Sequence, residues 1–168
     1  MGRSVAGHPP RTAVQRALSL LEQRDYTEQR LRDKLHQSGY STEETEDALA
    51  QMRAHHYIDD ERYARYFAET HLADRSIGRI RQDLMNRGID RDIIALVLEE
   101  VCLENPEHDA MELEQACDIL RKKHPTPEQL ADYAGRQKLM ALLIRKGYSL
   151  EIAREALDRC YNSAPYQH

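Results

Sequence analysis

Three glycines set the frame of this chain. Each ends a segment in which one apolar residue is followed by another four positions on, and by Gly four positions after that: Leu31, Leu35, Gly39; Ile80, Leu84, Gly88; Leu139, Leu143, Gly147. Apolar residues at i and i+4 share one helix face, and glycine tolerates the left-handed backbone that closes a helix. Tyr40, Ile89 and Tyr148 follow the glycines, placed to pack back on the helix end. Ser41, Asp90 and Ser149 come next and open another helix; Ser41 with Glu44 has the pattern of a capping box. That helix repeats one apolar stripe at i, i+3, i+4, i+7: Thr45, Ala48, Leu49, Met52; Ile94, Val97, Leu98, Val101; Ala153, Ala156, Leu157, Cys160.

A further helix precedes each pair. Its apolar face is read as Val14, Ala17, Leu18 and Leu21 in the first case and Tyr63, Tyr66, Phe67 and Thr70 in the second. In the third it is read as Met111, Gln115 and Ile119, with the prolines of 124–127 ending the helix. Strand alternation is nearly absent. The expected fold is all-α: three tandem three-helix modules in an elongated, curved array, because units this small bury little alone and lean on their neighbours. The expected division is a disordered leader (1–11), modules at 12–56, 57–104 and 105–162, and a flexible tail (163–168). The glycines lie 49 and then 59 residues apart.

Composition narrows the class. No apolar run in the 168 residues approaches the roughly 20 needed to cross a bilayer, and residues 1–10 lack the apolar segment of a signal peptide. Three cysteines without a C-x-x-C pair fit neither a disulfide scaffold nor a Cys-type zinc site. Free thiols suit a reducing compartment, so a cytoplasmic location is expected. The net charge of −5 argues against unassisted, nonspecific duplex binding. It hides a segregation: residues 92–118 carry nine carboxylates and no Lys or Arg.

Motifs for catalysis are missing: there is no G-x-S-x-G, H-E-x-x-H or Gly-rich phosphate loop. His55 and His56 beside Asp59, Asp60 and Glu61 offer metal-ligand chemistry, but histidine at a helix C-terminus is favoured by the dipole alone. His71 and Asp74 read as a surface pair. Acidic neighbours should raise rather than lower the Cys102 and Cys117 thiol pKa values. No catalytic residue, no metal and no cofactor are therefore expected. Cationic segments are more informative. Arg75, Arg79, Arg81, Arg87 and Arg91 lie in 75–91, with Ser76 expected to cap their helix, and Arg136, Lys138, Arg145 and Lys146 form a counterpart in the third module. Such groups offer donors to phosphates or carboxylates. The acidic 104–118 run is a rival contact surface.

Residues 57–89 resemble the RecX family of bacterial RecA regulators. The resemblance rests on Tyr57-Ile58-Asp59-Asp60, Tyr63-Ala64, Phe67, Arg79-Ile80, Leu84 and Gly88-Ile89, and extends over roughly 12–161. The family's Gly-Pro type turn is replaced here by Asp74-Arg75-Ser76-Ile77, with Gly78 inside the helix start. Beside the expectation of a monomer with weak direct contact with DNA and none with membranes, the resemblance implies a non-enzymatic partner of RecA and of the RecA–single-stranded DNA filament. It implies restraint of RecA ATPase, strand exchange and coprotease activity, and so modulation of recombination, DNA repair and the SOS response. The nine basic residues above are the expected filament-binding groups. A direct DNA-binding repressor built from helix-turn-helix-like repeats is the alternative. Against it, Glu43, Glu44, Glu46, Asp47 and Asp92 would repel phosphate from the reading helices.

Overall fold

Each of the three glycines ends its helix in the same way. In a computed structural model that describes residues 11–162, their φ angles are +93°, +80° and +93° for Gly39, Gly88 and Gly147. The Gly39 amide donates to the His36 carbonyl and the Tyr40 amide to Leu35, at 2.9 and 3.3 Å. Gly88 and Ile89 repeat the pair on Met85 and Leu84, and Gly147 and Tyr148 on Ile144 and Leu143. This is the double hydrogen bond of a Schellman ending. The residue after each glycine turns inward, leaving Tyr40, Ile89 and Tyr148 buried. Except for Arg11, the expected leader lies outside the described residues, as does the expected tail.

Ten helices and no strand occur among the described residues. The first domain contains α1 (Ala13–Leu21), α2 (Glu28–Gln37) and α3 (Thr42–Ala54). The second contains α4 (Asp60–His71), α5 (Ile77–Met85) and α6 (Arg91–Glu104). The third contains α7 (His108–Lys123), α8 (Pro127–Ala131), α9 (Tyr133–Arg145) and α10 (Leu150–Asn162). The short α8 is an addition to the three-helix plan and occupies the longer third spacing. Thr126 caps it through a reciprocal box with Gln129, and Pro127 fills a first-turn position where no amide is needed.

The stripe of the last helix in each domain is where the sequence pattern puts it. Thr45, Ala48, Leu49 and Met52 are buried, as are Ile94, Val97, Leu98 and Val101, and Ala153, Ala156 and Leu157; Cys160 is half-buried. The leading helices need correction. In α4 the buried residues are Ala64, Phe67 and Ala68, while Tyr66 is 69 % exposed. In α7 they are Glu112, Leu113, Ala116, Cys117 and Leu120, while Met111 is exposed. Alanines share the inward face with Phe67, Leu113 and Leu120, because a helix packed close to its neighbours leaves little room at parts of the contact.

The chain forms two compact units that cut across the three-domain repeat. One comprises residues up to Tyr66 with Leu84–Val97, the other Phe67–Asp83 with the chain from Leu98 onward. In the first, Leu31, Leu35, Tyr40, Ala48, Leu49, Met52 and Ile58 form one apolar cluster with Ala13, Ala17 and Leu20. In the second, Leu113, Leu120, Leu130, Leu143, Tyr148, Ala153 and Leu157 do the same.

One joint recurs, once inside each unit. Thr27 caps α2 by accepting from the Arg30 amide, and its buried hydroxyl donates to the Arg87 carbonyl at 2.6 Å. Ser76, 49 residues later, caps α5 by accepting from the Arg79 amide and donates to the Lys146 carbonyl at 2.7 Å. In both cases the acceptor immediately precedes the terminating glycine of the following domain. That glycine needs its missing side chain for space as well as for φ. A Cβ on Gly147 would stand 2.5 Å from the Arg79 amide nitrogen, and one on Gly88 would stand 2.4 Å from the Gln29 Cβ. Gly78 faces the same joint from the other side, since its Cβ would lie 2.2 Å from the Gly147 carbonyl oxygen. Around Gly39 there is nothing within 4 Å.

In the first unit a second tie meets the start of α2: Asp60 accepts from the Glu28 amide at 2.8 Å. Burial pushes the Asp60 carboxyl above the usual range, and this hydrogen bond only partly offsets it. The fold therefore prefers the protonated form, and the contribution of Asp60 to stability declines as pH rises through the carboxylate range. Asp60→Asn keeps the acceptor without the charge, so its stability relative to wild type should improve from low to neutral pH. Asp60→Ala should lose about 1 kcal/mol instead. Chemical denaturation across that pH range separates the two.

The joint gives a second expectation. Ser76→Ala removes a cap and strands the Lys146 carbonyl, and should cost about 2 kcal/mol or more. Ser41→Ala, which removes only an exposed cap, should cost about 1 kcal/mol. Urea midpoints read the difference directly.

Candidate functional site

The cationic segment of the second domain divides into committed and free groups. Ser76 starts α5, and the residues that follow alternate between a buried face (Ile80, Asp83, Leu84) and an exposed one. Asp83, with 9 % of its side chain exposed, accepts from Arg75 Nη1 at 2.8 Å and pairs with Arg79 Nε at 3.2 Å. Arg75 also stands over the Phe67 ring, 5.7 Å from its centre. These two guanidiniums compensate a carboxylate held out of water, which is a structural task. Arg81, one step round the helix, is exposed and pairs with no carboxylate among the described residues. Arg87 and Arg91 belong to the first unit. Arg87 is half-buried with its carbonyl in the joint, and Arg91 is exposed at the first turn of α6.

In the third domain, Arg136 is tied to Asp158 and reaches the Leu130 carbonyl at 3.4 Å. Lys138 and Arg145 lie seven residues apart on α9, hence on one face. Both are exposed, with Gln137, Ala141 and Ile144 exposed around them. Lys146 continues that face at the helix end. The outer face of α9 thus combines three cations with an isoleucine that is 43 % exposed, a composition suited to a protein surface or a phosphate backbone.

Much of the acidic run is used internally. Glu114 and Asp118 both hold Arg121 at 2.7 Å. Glu112 is buried and its Oε1 accepts from the Ile77 amide at 3.1 Å. It lines a cleft of about 790 Å³ in the second unit, bounded also by Arg81, Cys102, His108, Tyr148 and Ile152. The Tyr148 phenol is pushed up to about 12, by burial first and then by Glu112.

Groups with chemical potential elsewhere are quiet. His71 Nδ1 lies 3.2 Å from Asp74, a carboxylate that is 63 % exposed, and the ring packs tilted by 57° against Phe67, centroids 4.5 Å apart. His55 and His56 end α3, both exposed. Burial raises all three thiols; at Cys102 the carboxylates of Glu112 and Asp109 add to it, and at Cys117 that of Glu114 adds. Thiolates, the nucleophilic form, are therefore disfavoured. No described helix is long and apolar enough to cross a membrane.

Three residues organise this region in roles that sequence patterns did not assign, although Gln115 falls on the expected inward face of its helix, Gly78 at the start of the basic helix and Glu112 within the acidic run. Gln115 Nε2 donates to the Leu72 and Ala73 carbonyls at 3.2 and 2.9 Å, closing the end of α4. Glu112 serves the first turn of α5, and Gly78 permits the close approach of Gly147. A signal existed for the joint itself: Thr27 and Ser76 are separated by the same 49 residues as Gly39 and Gly88.

Repeated Gly-terminated helix pairs, each preceded by a further helix and locked hydroxyl to carbonyl, define a tandem three-helix-domain protein. Sequence models describing the first, second and third three-helix domains of RecX match residues 13–52, 59–98 and 110–157. The regulatory protein RecX of Actinobacillus pleuropneumoniae serotype 5b is 35 % identical over 158 residues, covering 93 % of this chain and 97 % of that protein. That of Haemophilus influenzae is 34 % identical over 137 residues, covering 78 % and 83 %. A crystal structure of regulatory protein RecX superposes with a TM-score of 0.72 at 26 % identity, over 87 % of this chain and 70 % of that one. For the RecX of Lactobacillus salivarius the score is 0.67 at 18 % identity, over 89 % and 94 %, which is a likeness of fold. The chain belongs to the RecX family of regulatory proteins.

The division of the arginines makes an expectation. Arg79→Glu places a carboxylate beside buried Asp83 and should lower stability by about 2–3 kcal/mol. Arg81→Glu, on the exposed face, should stay within about 0.5 kcal/mol of wild type. Thermal or urea unfolding distinguishes them.

Proposed function

We propose that this protein is a non-enzymatic regulator that binds RecA and its single-stranded DNA filament. By binding, it restrains RecA ATP hydrolysis, strand exchange and coprotease activity, and so tempers recombination, DNA repair and the SOS response. The observation that carries the reading is the near end-to-end correspondence with RecX regulatory proteins, 93 % of this chain against 97 % of a relative. The disfavoured thiolates and the solvated His71–Asp74 pair support action by binding rather than by chemistry. The place of action is the cytoplasm, the acting form is a monomer, and direct contact with DNA is weak.

Among the nine basic residues, the contact falls chiefly to those without a carboxylate partner among the described residues. These are Arg81, Lys138, Arg145 and Lys146 in the second unit and Arg91 in the first. Arg75, Arg79 and Arg136 hold internal carboxylates and act mainly by supporting the fold. Arg87 contributes through the joint at its carbonyl. Several weak contacts spread over a filament of many identical protomers gain strongly from multivalency.

The test is the rate of ATP hydrolysis by RecA on single-stranded DNA, from the same organism, titrated with this protein. A fall in rate at less than one molecule per RecA is expected. The Lys138→Glu, Arg145→Glu double variant should need roughly tenfold more protein for the same effect, because reversing two surface charges costs about 1–2 kcal/mol in a charge-steered complex. No fall in rate with folded protein overturns the reading. A sequence-specific shift of duplex DNA without RecA would place the helix-turn-helix repressor in its stead.

A further inference from the structure

The first turn of α7 carries a group of side chains that neither the joint nor the proposed regulatory surface employs. His108, Asp109 and Glu112 each offer a ligand atom, and the three atoms lie within 4.8 Å of one another. They combine one imidazole with two carboxylates, a set that takes borderline divalent ions, zinc above all. Spacing and helix geometry place them together: residues 108 and 112 are i and i+4 on one face, and Asp109 adjoins them, its Oδ1 3.0 Å from His108 Nε2.

Glu112 supplies an independent indication. The residue is buried, at 8 % exposure, and one of its two oxygens is hydrogen-bonded. Oε1 accepts from the Ile77 amide, and no donor among the described residues reaches the other oxygen. Glu112 and His108 both line the 790 Å³ cleft, so that oxygen has open space beside it. Glu112 is not among the side chains stranded without a partner; its second oxygen is open to the cleft, where a cation can meet it with the Asp109 carboxylate alongside. His108, with 17 % of its side chain exposed, adds a nitrogen ligand at the same place.

We propose that His108, Asp109 and Glu112 form a binding site for a divalent transition-metal ion, with zinc the fitting one, at the start of α7. Bonds of about 2.0–2.2 Å to nitrogen and carboxylate oxygen require the ligand atoms to draw together to roughly 3.4 Å. Asp109, 78 % exposed, is free to make that adjustment. Three protein ligands leave a fourth position open to the cleft, for water or for a ligand brought by a partner. Through Glu112 the ion would brace the Ile77 amide, and with it the Ser76 cap of α5. The expectation of no metal weighed the cysteine spacing and the His55–His56 group beside Asp59, Asp60 and Glu61, and not this set at the start of α7.

The experiment is calorimetric titration of the full chain, stripped with a chelator, with Zn²⁺, and with Co²⁺ followed by its visible absorption. One equivalent should bind saturably, and thermal stability should rise with added metal. Losing an outer-shell partner of a metal site costs about 10–100-fold in affinity, so losing a ligand through His108→Ala or Glu112→Gln should weaken binding at least tenfold. Glu112→Gln retains an oxygen for the Ile77 amide, and Asp109→Asn changes an exposed side chain, so at least one variant tests the site in a folded protein. His71→Ala and His124→Ala should bind as wild type does. Absence of saturable binding overturns the proposal, as does binding that His108→Ala and Asp109→Asn leave unchanged.

Discussion

A hydroxyl with two obligations holds this structure together. Thr27 and Ser76 each accept from an amide of the helix they begin and donate to a carbonyl at the end of the next domain's middle helix. Both roles satisfy backbone groups that a helix end leaves without partners. Because Thr27 and Ser76 are 1 % and 2 % exposed, water cannot substitute for either partner. Start of helix and contact between domains are thus one event, and small cores become parts of larger ones. This explains why compact units cut across the sequence repeat: the first domain has the end of α5 for company, the third has its beginning.

The sequence made the end of each domain legible and left its beginning obscure, for physical reasons. A left-handed glycine, an inward residue behind it and a cap leave few other readings, and the stripes of α3, α6 and α10 follow. In α4 and α7 hydrophobicity misleads. Tyr66 and Met111 are large and partly apolar, but a tyrosine hydroxyl and a flexible thioether tolerate the surface, while Ala64, Ala68 and Ala116 allow close packing. The helix α8 was hidden because five residues carry too little periodicity to register, although Thr126, Pro127 and Gln129 spell its start.

For the functional surface, sequence revealed charge but not commitment. Nine cations look alike in a string of letters. The structure separates them by the presence of Asp83 and Asp158, which lie close to arginines in space and only partly so in sequence. Arg79 and Asp83 are i and i+4 on one helix, a pairing that spacing alone anticipates. Arg136 and Asp158 are 22 residues apart and could be matched only once α9 and α10 were packed. The acidic run divides likewise into groups that hold Arg121 and a group, around Glu112, that faces a cleft.

The three terminating glycines, interchangeable in sequence, live under unequal constraint. Gly39 has open space where a side chain would be, and only its φ of +93° disfavours one. Asparagine, the residue that best tolerates that region after glycine, is an admissible replacement there. Gly88 and Gly147 are pressed against Gln29 and the Ser76–Arg79 turn, and asparagine would collide. Drift among related chains should therefore erase the repeat's first punctuation mark before its second or third. A search for such proteins keyed to all three glycines would overlook members that have changed nothing of consequence.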